Sequence, residues 1–134
     1  MPFRVDDQPG DIAGFWFAID RSILREHGVA RHGPPPAELF APIPRATLLA
    51  LLAESIRWHR GSDVPLGTDV VLNTCRALRF AADGTWSPKR EAGAWAGDEP
   101  VVRAALAGEA LDRATVEPFL AAALGRLDGA AGQA

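Results

Sequence analysis

A chain of 134 residues, 48% hydrophobic and 23% charged, has room for one core of modest size, leaves almost none for a second folded domain and excludes disorder over most of its length. Fourteen basic residues against 17 acidic ones give a net charge of −3 without a long run of either sign, which argues against a nucleic-acid surface. The single cysteine, Cys75, excludes an internal disulfide and a thiolate metal site, no apolar stretch is long enough to cross a membrane, and MPFRVDDQPG lacks an apolar signal core, so a cytoplasmic protein is expected.

Breakers divide the chain into helix-sized pieces. Residues 1–10, with Pro2, Pro9 and Gly10, read as a loose lead-in. Asp11 can cap a first helix whose apolar positions Ile12, Phe15, Trp16, Ile19 and Ile23 recur at helical steps, with Gly28 as its stop. Residues 29–44 hold five prolines and one glycine, a rigid surface segment with one short turn at Ala37 to Phe40. A second long helix is expected from Arg45 to His59, with Leu48, Leu51, Leu52, Ser55 and Ile56 on one face and Gly61 ending it.

Beyond the loop GSDVPLG, Thr68 or Asp69 can cap a helix carrying Val71, Leu72, Cys75, Leu78 and Phe80 up to the Asp83-Gly84 turn. Ser87 followed by Pro88 is a start signal for a helix through Glu91, Ala92 and Trp95 to Gly97. Asp98 and Pro100 open another across VVRAALAGEAL. Thr115 caps the last, with Phe119, Leu120, Leu124 and Leu127, before a frayed tail over 128–134. No period-two stretch of five residues occurs, so the fold class is all-α, a single bundle of five or six short helices.

The common catalytic signatures are missing: no Gly-rich phosphate loop, HExxH, CxxC or GxSxG. His27, His32 and His59 lack metal-ligand spacing and read as surface or helix-end residues, and Cys75 as a small core residue. Three groupings carry more information. Trp58, Asp63 and Asp69 lie at a helix end and in the following loop. An aromatic face beside carboxylates suits a cationic, sugar-like ligand, and the plain alternative makes Trp58 core and the aspartates loop or cap residues. Arg76, on a largely apolar helix, is either a buried structural partner or an anion ligand. Lys89, the only lysine, falls in the first turn of a helix, where its charge opposes the positive helix end unless an anion such as phosphate is bound there.

Residues 70–96, VVLNTCRALRFAADGTWSPKREAGAWA, resemble the C-terminal helical domain of the aminoglycoside adenylyltransferases, the streptomycin and spectinomycin resistance enzymes. The pattern is Leu-Asn-x-Cys-Arg, a Gly turn, Pro-Lys, then Glu-Ala-x-x-Trp-Ala. Upstream, residues 11–52 resemble the start of that domain, with an apolar helix ending in Gly-Val, a Gly-Pro-Pro segment, Glu-Leu-Phe and Pro-x-Pro. The resemblance extends over about residues 11–125 and implies one helical domain over 11–127.

In that family an N-terminal nucleotidyltransferase domain carries the Gly-Ser motif and the aspartates that hold magnesium with ATP, and none of these motifs occurs here. The resemblance therefore implies no catalytic residue in this chain, nucleotide-phosphate binding by Arg76 and Lys89, and substrate binding by Trp58, Asp63 and Asp69. ATP and magnesium are expected only with a catalytic domain supplied separately, and no AMP transfer by the chain alone. The expected partners are an aminoglycoside-like cationic small molecule and a nucleotidyltransferase domain or a second copy of the chain, with no nucleic acid and no membrane. Two alternatives stand beside this: a binding module that sequesters or senses a cationic natural product, and a helical protein-interaction domain.

Overall fold

Proline and glycine set most of the helix ends. The computed structural model describes residues 15–133, so the lead-in over 1–10 and the helix start at Asp11 and Ile12 lie outside the described residues. Seven helices occur among the described residues, with no strand: α1 (Phe15–His27), α2 (Pro36–Leu39), α3 (Arg45–Gly61), α4 (Thr68–Asp83), α5 (Lys89–Ala96), α6 (Pro100–Leu106) and α7 (Arg113–Gln133). The fold is all-α as expected. The helix beyond the expected count is α2, a four-residue piece where a single turn was expected.

Several ends differ from the sequence reading, each for a local reason. Ser87 does not cap α5. Pro88 is extended, at φ −54° and ψ 148°, so the helix starts at Lys89, and the Ser87 hydroxyl is buried with no partner. Asp112 rather than Thr115 caps α7: its Oδ1 accepts the Thr115 backbone N–H at 2.8 Å and the Thr115 hydroxyl at 2.6 Å. These bonds favour the ionised form and hold the Asp112 carboxyl below its ordinary range. α6 stops at Leu106, short of Leu111, because the chain turns at Gly108 with φ 71°. The expected frayed tail is helical as far as Gln133, and Ala134 lies outside the described residues.

α4 is the central element and packs against α3, α5, α6 and α7. Val71 and Cys75 are fully buried on it, in one core cluster with Leu49 of α3, Val102 of α6, and Val116, Leu120 and Leu127 of α7. Each such aliphatic side chain contributes roughly 1.5–3 kcal/mol by leaving water. Burial pushes the Cys75 thiol up to about 11, which suits a core residue and not a nucleophile. α1 closes one side of α3 with Phe15 and Ile19. Gly93 lets α5 approach α4 and α6, since a Cβ there would lie 2.8 Å from Leu72 Cδ2 and 2.9 Å from Leu106 Cδ2. No helix among the described residues is long and apolar enough to cross a membrane.

Candidate functional site

With its core positions turned inward, α4 has one polar edge. Asp69, Asn73 and Arg76 fall at steps of four and three, one stripe of the helix, and all three line a cleft of about 510 Å³. That volume lies within the roughly 300–1,000 Å³ of small-molecule sites. Trp16 and Asp20 of α1, His59 of α3, Val64 and Pro65 of the α3–α4 loop, Val70 of α4 and Lys89 at the start of α5 complete the lining.

Each wall is held by specific contacts. The segment leading to Lys89 is fixed through Trp86, whose ring stacks on Phe80 of α4 at 4.1 Å and 16°. The Trp86 indole N–H donates to Ser22 Oγ of α1 at 2.9 Å, and His27 Nε2 lies 2.9 Å from the Trp86 carbonyl. The α3–α4 loop is tied to α7 by the Arg113 guanidinium, which donates to the carbonyls of Arg60, Ser62 and Val64. Arg60 is paired in turn with Glu117 of α7 at 2.7 Å. The cleft is thus set by long-range contacts and not by loop conformation alone.

Its charges are arranged in pairs. Lys89 Nζ lies 3.2 Å from Asp69 Oδ1, so a carboxylate from the neighbouring helix offsets the cation at the α5 start. Arg76 is half-buried and donates to Asn73 Oδ1 at 2.7 Å. Burial lowers its pKa, while Asp20 and Asp69 oppose that shift by their charge. A guanidinium so placed remains charged and keeps donors for an incoming anion. His59 has both ring nitrogens buried and without a partner, between the edges of Trp16 at 5.8 Å and Trp58 at 5.0 Å. Burial is the main cause that lowers its pKa. Asp69 opposes the shift and Lys89 adds to it, which favours the neutral imidazole.

Of the five residues singled out in the sequence, three meet: Asp69, Arg76 and Lys89 share the cleft. Trp58 and Asp63 are not among its lining residues. Trp58, 39% exposed, packs edge-on to Phe15 at 6.3 Å and against His59, and Asp63 is exposed in the α3–α4 loop. The sequence reading missed Trp16 and Asp20, an aromatic and a carboxylate four residues apart on one stripe of α1, and took His59 for a helix-end residue. A second pocket of about 340 Å³, lined by Ile23, His27, Trp86, Ser87 and Pro88, shares Arg76 with the cleft.

One family model matches the chain: aminoglycoside adenylyltransferase, C-terminal domain, over residues 38–112. No curated protein matches it. The matched span takes in α3 to α6 and with them His59, Asp69, Arg76 and Lys89, while α1 precedes it.

Proposed function

Because the chain belongs to the family of aminoglycoside adenylyltransferase C-terminal domains, we propose that it is the ligand-binding helical half of an adenylyltransferase. In this role it holds a nucleotide phosphate chain and an aminoglycoside against a separately supplied nucleotidyltransferase domain. The observation that carries this reading is the convergence of Arg76 and Lys89, from two different helices, on one cleft that also contains Asp69.

In adenylyl transfer a hydroxyl of the acceptor, giving up its proton to a base of the nucleotidyltransferase domain, attacks the α-phosphorus of ATP, the P–O bond to the leaving group breaks, and pyrophosphate departs with the negative charge. Arg76 offers a planar fork of N–H donors to phosphate oxygens, and Lys89 a compact charge at a helix start. Together they oppose the charge that builds on the leaving pyrophosphate. To do so Lys89 exchanges Asp69 for phosphate, which frees Asp69 for a cationic group of the acceptor. Among the described residues no group of three or more His, Cys, Asp or Glu could hold a metal, so their donors do not fit magnesium. In this reading the metal ligands come from the catalytic domain. Trp58 and Asp63, outside the cleft lining, are proposed to meet the acceptor at the seam with that domain. A cytoplasmic setting supplies ATP and suits the reduced thiol of Cys75.

The test mixes the whole chain with a family nucleotidyltransferase domain, ATP, magnesium and streptomycin or spectinomycin. AMP transfer that falls in Arg76→Ala and Lys89→Ala is expected, and no transfer in any pairing counts against the reading.

A further inference from the structure

We propose that Trp16 and Asp20, on α1, form the surface of the cleft that recognises an amino sugar. This rests on the function proposed above and identifies where, within the same site, the cationic acceptor sits. Three observations lead to it. Trp16 and Asp20 are four residues apart, so indole and carboxylate stand one above the other along the same cleft wall. In the unliganded cleft Asp69 is engaged by Lys89 at 3.2 Å and becomes available only once phosphate takes its place, whereas Asp20 is exposed and has no ion pair among the described residues before any ligand arrives. The Trp16 ring is braced, with Phe15 at 4.9 Å and the edge of His59 at 5.8 Å, so its position is held before a ligand arrives.

The cleft is thereby divided by charge. Its α1 wall offers an aromatic face and an available carboxylate, and its α4–α5 wall offers Arg76 and Lys89. A sugar ring stacks its C–H face on Trp16 while a ring ammonium or guanidinium donates to Asp20, a combination of aromatic and charge-assisted contact that a neutral sugar cannot complete. A phosphate at Arg76 and Lys89 lies across the same cleft, which sets acceptor and nucleotide side by side. His59 acts here as a positioning residue for Trp16.

The test is calorimetric titration of the whole chain with streptomycin, kanamycin and sucrose, and separately with inorganic tripolyphosphate, for wild type, Asp20→Asn, Trp16→Phe and Asp63→Asn. Saturable binding of the two aminoglycosides and none of sucrose is expected. Asp20→Asn should weaken the aminoglycosides about tenfold or more, the loss of one charge-assisted bond, while tripolyphosphate binding is not weakened, because a negative charge near Arg76 is removed. Trp16→Phe keeps a ring for the fold, and a several-fold loss for aminoglycosides alone supports the assignment. Aminoglycoside affinity equal to wild type in Asp20→Asn, or a loss confined to Asp63→Asn, overturns the inference and leaves the proposed function standing. Absence of any aminoglycoside binding to wild type overturns the inference, and loss of tripolyphosphate binding as well removes the proposed function.

Discussion

On one side of α4, Val71, Cys75 and Leu78 meet apolar partners from α3, α6 and α7 and are closed off from water. On the other, Asp69, Asn73 and Arg76 border an open cleft, and their charges are matched only by one another and by Lys89 and Asp20. The core side is complete as it stands. The cleft side holds cations of two helices that an anion could satisfy better, together with an imidazole whose nitrogens lack partners. Contacts of the first kind set stability, and those of the second kind are free to change at little cost to it.

Substitutions on the two sides should therefore separate. The largest effect on folding belongs to the core: Leu49→Ala removes a fully buried side chain of α3 and should cost roughly 2–5 kcal/mol in denaturant unfolding. A cost below about 1 kcal/mol would mean that this part of the core is loosely packed.

A smaller effect belongs to the floor of the cleft. His59 has a folded pKa below its ordinary 6.5, so the unfolded chain binds more protons as pH falls through that value. Its contribution is fully present above about 6.5 and declines below it. Unfolding curves from pH 8 to 5 should show this loss, and it should diminish in His59→Gln. An identical pH profile in the variant would remove His59 from the argument.

The smallest effect is expected at the cleft rim. Lys89→Ala breaks a solvent-exposed pair with Asp69 and relieves a cation at a helix start, so stability should change by less than about 1 kcal/mol. A larger loss would make the pair a structural element and erase the contrast between the two sides.

Much of the fold is legible in the sequence because it is written in local signals. The three- and four-residue apolar steps of α3 and α4 and the Gly84 stop, at φ 74°, all lie where periodicity and turn chemistry place them. What local rules miss is competition between neighbouring signals. Ser87 and Thr115 are good caps by residue type, yet Pro88 and Asp112 take those positions. The site is legible on α4 and α5, where Arg76 and Lys89 belong to a recognisable motif. It is hidden on α1. The sequence reading sought an aromatic beside carboxylates and found Trp58 with Asp63 and Asp69, of which Asp69 lines the cleft, and the cleft also contains an aromatic and a carboxylate the reading did not single out, Trp16 and Asp20. Which of two tryptophans lines the cleft depends on how α1 crosses α3, and no residue spacing encodes that angle.

Titration of the whole chain with inorganic tripolyphosphate, followed by calorimetry, tests the anion site proposed between α4 and α5 most directly. One saturable binding event is expected, weakened about tenfold or more in Arg76→Ala with the unfolding midpoint unchanged. No saturable binding, or equal affinity in wild type and Arg76→Ala, would contradict it.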